Sequence, residues 1–302
     1  MCGIVGLHLR TPELYPRLGE LLTGMLCEMG DRGSDSAGVA VYGDPAWSPP
    51  GAGCVSVAEL AAGDRRCVAD VTSAVAAALG DDVDGIAVDG SYLLSAGRRS
   101  EELLVAVRSA FPHAIIAGFG SDVAVLKGVG YPRALTGGWG LATARGWQGV
   151  GHTRMATESA VTPAGCHPYA VGPGQCMVHN GSFANHATIR RELRSAGVEF
   201  DSENDTEVGA RFIAALLADG RDVEGALKEL CATFDGFYTL LVSDRDSFAV
   251  VRDAIACKPA VVAETDEWVA MGSEYRALAG LPGVEKARIW EPEPEVVYAW
   301  QR

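Results

Sequence analysis

The chain has 302 residues, 48% of them apolar, which is ample for one large folded domain or two modest ones. Thirty-nine acidic residues against 25 basic ones leave a formal charge of −14, which argues against non-specific binding to nucleic acid or to an anionic membrane surface. No apolar run reaches the length of a membrane span, and the N-terminus lacks the basic, apolar and small-residue order of a signal peptide, so the expected location is the cytoplasm.

Residues 4–9 predict a short buried strand, and the apolar spacing of residues 17–29 predicts a helix that ends near Gly30. Residues 37–42 predict a second strand. The breakers from Asp44 to Gly51 then mark a loop. The block from about 52 to 134 contains an Ala-rich helix near 64–79 and a second helix near 101–110. Strand-like runs stand at 85–88, 114–117 and 123–126. Gly118-Phe119-Gly120 lacks the rest of a dinucleotide fingerprint, and there is no Walker-type phosphate loop. Residues 175–178 predict an apolar strand leading into His179-Asn180-Gly181. Helices follow at 187–196, with Gly197 as a C-cap, and at 205–218, where Val208, Phe212, Ile213 and Leu216 share one face. From Gly236 onward short β-rich runs (238–242, 248–251, 260–263, 268–271) alternate with turns. That pattern predicts stacked sheets rather than a parallel βαβ sheet.

The eight cysteines, at 2, 27, 54, 67, 166, 176, 231 and 257, form no Cys-x-x-Cys pair, which excludes simple zinc-ribbon and ferredoxin patterns. Reduced thiols are expected. Cys166-His167 looks like a dyad on paper, but adjacent side chains rarely face each other and Pro168 follows.

Cys2 is the most informative residue. Loss of Met1 would place a thiol and a free α-amine on one residue, and an amine with a reference pKa of about 7.7–8.0 can serve as the base for its own nucleophile. The plainer reading is a small buried Cys at the start of a strand. Four later segments complete a constellation. Residues 31–38 (Asp-Arg-Gly-Ser-Asp-Ser-Ala-Gly) form a polar turn between a helix and a strand. Residues 151–157 (Gly-His-Thr-Arg-Met-Ala-Thr) set Arg154 among small residues, and Arg suits bidentate carboxylate recognition. Asn180-Gly181 offers a side-chain amide and a backbone N–H, two donors for an oxyanion; an Asn-Gly pair equally makes a turn. Asn204-Asp205-Thr206-Glu207 opens a helix, where Asp205 either caps or binds an ammonium group. Neither His152 nor His179 is assigned a role. Together the pieces meet the needs of glutamine hydrolysis.

These five motifs, in this order, resemble the class II glutamine amidotransferases, and residues 2–44 and 135–275 carry the resemblance. It implies an α+β, N-terminal-nucleophile (Ntn) hydrolase fold, an αββα four-layer sandwich, in a single domain of residues 1–302 with a large α/β insertion at about 45–134. It also implies Cys2 as nucleophile and base, Asn180 and Gly181 as oxyanion hole, Arg154 for the glutamine carboxylate and Asp205 for its α-amine. Arg32 would support the nucleophile, and Thr157 would contact substrate.

Within that class, Met155 replaces the aromatic usual after the motif Arg in phosphoribosyl- and fructose-6-phosphate-using members. Residues 252–259 (Arg-Asp-Ala-Ile-Ala-Cys-Lys-Pro) and 273–278 look most similar to the glutaminase subunits of glutamate-synthase-like enzymes, N-methylglutamate synthase above all; Ala254 stands where a Pro is expected. The implied function is L-glutamine hydrolysis through a γ-glutamyl thioester, supplying a synthase partner in a hetero-oligomer. No cofactor or metal is expected in this chain; flavin and iron–sulfur centres would belong to partners. The alternatives are the amidotransferase subunit of another biosynthetic enzyme, a stand-alone glutaminase, and a non-catalytic glutamine-binding regulatory subunit.

Overall fold

A computed structural model of the chain describes residues 1–156 and 161–302. In chain order the elements are β1 (Gly3–Leu9), α1 (Leu18–Glu28), β2 (Ser36–Tyr42), β3 (Gly53–Glu59), α2 (Val68–Leu79), β4 (Asp84–Val88), β5 (Ser91–Ala96), α3 (Ser100–Ala110), β6 (Ile115–Ser121) and β7 (Val123–Val129). Then come α4 (Pro132–Gly138), β8 (Gln148–Arg154), β9 (Cys176–Phe183), α5 (His186–Ser195), α6 (Asp205–Ala218), α7 (Val223–Thr233), β10 (Gly236–Ser243), β11 (Ser247–Arg252), β12 (Val261–Glu264), β13 (Trp268–Gly272), β14 (Arg288–Trp290) and β15 (Tyr298–Gln301). The fold is α+β, and its named strand pairs are antiparallel.

The strands form three sheets. The largest has the order β14-β12-β13-β1-β8-β2-β7, the second β15-β11-β10-β9, and the third β4-β5-β3-β6. Side chains alternate across each strand, and this sorts them between cores. In β1, Val5, Leu7 and Leu9 pack with Leu22, Met25 and Leu26 of α1, whereas Ile4 joins Val178, Leu241 and Phe248 of the second sheet. In β10, Leu241 faces the first sheet while Leu240 and Val242 pack with Val208, Ile213 and Leu227 of α6 and α7. The third sheet has its own core, in which Val55, Val57 and Leu94 meet Val71 and Val75 of α2 and Leu103 and Val107 of α3.

Two sequence expectations change. The third sheet takes residues 53–121, narrower than the 45–134 block: Val123–Val129 instead pairs with β2 as the edge of the large sheet. Strand β9 runs on through His179-Asn180-Gly181 to Phe183, paired along its length with β10, so Asn180-Gly181 makes no turn. The acidic, Pro-containing tail leads into β15, which pairs with β11.

Candidate active site

The start of β1 is held from two sides. Arg32, only 8% exposed, donates from Nε to the Cys2 carbonyl at 3.0 Å and from Nη1 to Glu274 Oε1 at 2.5 Å. The guanidinium beside it holds the Glu274 carboxyl below the usual range. Cys2 is half-buried, and its Sγ lies 4.0 Å from the Met155 carbonyl. The Met1 amine lies 3.2 Å from Met155 Sδ. While Met1 is attached, the Cys2 nitrogen is an amide and no base.

Register brings the Arg154 segment beside the thiol: Gly3 pairs with Thr153, and Thr153 Oγ1 donates to the Met29 carbonyl at 2.9 Å. Arg154 is the last residue of β8, is 5% exposed and stands opposite Ser36. Its carbonyl accepts from Asp35 N at 3.0 Å, and Asp35 Oδ2 accepts from Ala156 N at 2.8 Å. The polar turn at 31–38 thus braces both Cys2 and the backbone around Arg154. Thr157 lies outside the described residues.

Asn180 and Gly181 enter from the second sheet. Asn180 is 3% exposed, and its Nδ2 has no hydrogen-bond partner among the described residues. A buried unpaired donor is costly, and such groups in native structures usually have a functional reason. Gly181 has φ +151°, and a Cβ there would lie 2.0 Å from the Phe237 carbonyl, so only Gly fits the close approach of β10. The two sheets are tied at this point: His152 Nε2, on the strand that ends in Arg154, lies 3.0 Å from the carbonyl of His179, the residue before Asn180.

Asp205 is the first residue of α6. Asn204 caps the helix, its Oδ1 accepting from Thr206 N at 2.9 Å. Asp205 Oδ2 accepts from Phe183 N at 2.8 Å, which fixes the carboxylate at the end of β9, two residues past Gly181. Cys2, Arg32 and Arg154 therefore sit together at one end of the large sheet, and Asn180, Gly181 and Asp205 at the adjoining end of β9.

A glutamine amidotransferase domain model matches residues 152–280. The chain is 45% identical over 300 residues, 99% of its length and 98% of the relative's, to the glutamine amidotransferase-like protein GlxB of Rhizobium meliloti. The chain belongs to the class II glutamine amidotransferases, enzymes that hydrolyse glutamine. A putative glutamine amidotransferase of Methanothermobacter thermautotrophicus is 28% identical over 292 residues, covering 92% of this chain and 93% of that one. The same fold occurs in the glutamine phosphoribosylpyrophosphate amidotransferase of B. subtilis (TM-score 0.60, 16% identity, covering 99% of this chain and 49% of that one).

Around these residues lie others to which the sequence analysis gave no role. Thr206 Oγ1 meets His179 Nδ1 at 2.8 Å and His167 Nε2 at 2.9 Å, and the His152 and His167 rings stack 4.0 Å apart. Burial lowers the pKa of all three histidines, that of His152 to about 3. Burial keeps them neutral where the two sheets meet α6. Cys166 donates its thiol to the Thr162 carbonyl at 3.1 Å, and burial pushes its pKa up, so Cys166 and His167 form no dyad. Glu207 is buried; it accepts from Asp201 N, Ser202 N and Ser202 Oγ at 2.7–2.8 Å and pairs with Arg211, shaping the segment before Asp205. Only its place in the Asn-Asp-Thr-Glu motif pointed to it. Among the described residues no group of three or more His, Cys, Asp or Glu is arranged to hold a metal ion, and no helix is long and apolar enough to cross a membrane.

Proposed function

We propose that the mature chain begins at Cys2 and that its thiolate attacks the side-chain amide carbon of L-glutamine. The Cys2 α-amine takes the thiol proton and returns it to the departing ammonia. Asn180 Nδ2 and the Gly181 N–H hold the tetrahedral oxyanion. Arg154 grips the substrate carboxylate, Asp205 its α-ammonium, and Thr157 adds a further contact. Collapse gives a γ-glutamyl thioester on Cys2, which water cleaves to glutamate.

The observation that carries this reading is the buried, unpartnered amide of Asn180 beside Gly181, on a strand of the second sheet tied through His152 and His179 to the strand that ends in Arg154. Arg32 supports it by fixing the Cys2 carbonyl and so the direction of the thiol. The arrangement of α1, two facing sheets and α6 with α7 supports the four-layer Ntn sandwich, and the separate core of residues 53–121 supports an inserted subdomain. The motif resemblance at 252–259 and 273–278 supports a hetero-oligomer in which a glutamate-synthase-like partner, of the N-methylglutamate synthase kind, receives the nitrogen or the glutamyl group. The flavin and iron–sulfur chemistry of such a system would lie in that partner.

The test is labelling with 6-diazo-5-oxo-norleucine followed by peptide mapping and intact mass. The expected result is one adduct on Cys2 of chains lacking Met1. Full glutaminase activity in chains that uniformly retain Met1, or an adduct mainly on Cys166 or Cys257, overturns the mechanism.

A further inference from the structure

A cavity of about 220 Å³ lies where the third sheet meets the body of the molecule. Its apolar wall comes mostly from the third sheet and its helix: Leu104, Ile115, Ile116 and Phe119. Lys127 of β7 and Tyr169 line it from the other side. Lys127 is 5% exposed. Its Nζ reaches the Cys166 carbonyl at a long 3.4 Å and stands 5.3 Å from the centre of the Tyr169 ring; it forms no ion pair among the described residues. Burial lowers its pKa, and the more distant carboxylates of Glu207 and Asp201 only partly offset that.

The two arginines around the cavity are already paired. Arg108 and Arg211 both lie 3.0 Å from Asp201 Oδ2, and Arg211 also pairs with Glu207 at 3.1 Å. Glu199 is exposed at the rim. Lys127 is therefore the basic group of this lining that has no carboxylate at ion-pair distance among the described residues; it shares the cavity with an apolar wall, while Glu199, Asp201 and Glu207 disfavour a multiply charged anion. The remaining volume suits a short hydrocarbon body.

We propose that this cavity binds a small monocarboxylate with an apolar body, its carboxylate on Lys127 Nζ and its chain against Leu104, Ile115 and Phe119. The ligand is distinct from glutamine, whose polar side-chain amide meets no partner on the apolar wall of Leu104, Ile115 and Phe119. The site does not depend on the glutaminase reading, and its test needs no turnover.

Calorimetric titration of the purified chain with hexanoate, isovalerate, 1-hexanol and inorganic phosphate decides it. Saturable binding of at least one carboxylate is expected, with 1-hexanol and phosphate much weaker. Losing a hydrogen bond to a charged group should weaken that binding about tenfold or more in Lys127→Met. Leu104→Trp, which fills the cavity from α3 and leaves Lys127 in place, should abolish it and decides the matter should Lys127→Met fail to fold. No binding of either carboxylate to the wild-type chain, equal binding to Lys127→Met or Leu104→Trp, or a preference for phosphate would overturn the proposal.

Discussion

Asn180 and Gly181 place the hardest demands on single residues. Removing one oxyanion donor typically costs a hundredfold to a thousandfold in turnover, so Asn180→Ala should lower kcat by about that factor and leave KM for glutamine nearly unchanged. Steady-state kinetics check it; a rise in KM alone with kcat intact is incompatible with the assigned role. Gly181→Ala is a different experiment. The new methyl group would meet the Phe237 carbonyl at 2.0 Å, so β9 and β10 must part. A loss of about 1–3 kcal/mol in urea unfolding is expected, as for other overpacked sites, together with loss of activity. Asp205 binds Phe183 N as well as any substrate. Asp205→Asn should therefore keep the fold and lose glutamine affinity, seen as a raised KM.

At the level of elements, the junction of β8, β9 and α6 rests on neutral imidazoles. The pKa values of His8, His152, His167 and His179 are all lowered, chiefly by burial. In the unfolded chain these rings protonate as pH falls through about 6.5, while the folded chain excludes the proton. The unfolded state then binds more protons, so stability is full above about pH 6.5 and declines as pH falls toward the folded values. For His152 that window runs from 6.5 to about 3, with a slope of up to about 1.4 kcal/mol per pH unit. Urea unfolding at pH 7.5, 6.5 and 5.5 should show the decline, and His152→Gln should flatten it. Glu207 acts in the same region by another route. Glu207→Gln removes the partner of Arg211 and loosens three bonds to residues 201 and 202. Because that segment leads into Asp205, KM for glutamine should rise more than kcat falls.

For the whole molecule, the proposed partner sets the expectation. A glutaminase that feeds a synthase wastes ammonia if it turns over alone, and closure over the substrate is a common means of coupling. The isolated chain should release glutamate slowly and be stimulated by the synthase subunits that co-purify with it. Glutamate release with and without those subunits is the measurement. A single purified chain that moves glutamine nitrogen to an organic acceptor by itself would end the subunit reading.

The sequence by itself determined the amidotransferase family, the α+β class and most of the strands and helices. Local rules act there: α6 begins at Asp205 because Asn204 caps it, and β10 and β11 show as short apolar, β-rich runs between turns. What only the tertiary structure decided was decided by contacts distant in sequence. Asn180-Gly181 has turn composition, yet pairing with β10 keeps it extended. Residues 123–129 follow the third sheet in the chain but pair with β2, because β2 leaves its backbone groups open on that side of the large sheet. The contacts of the Thr206 hydroxyl and of the stacked histidines, and the burial of Lys127, have no local signature. Each gains its meaning from groups tens of residues away, which burial forces either to pair or to wait for a ligand.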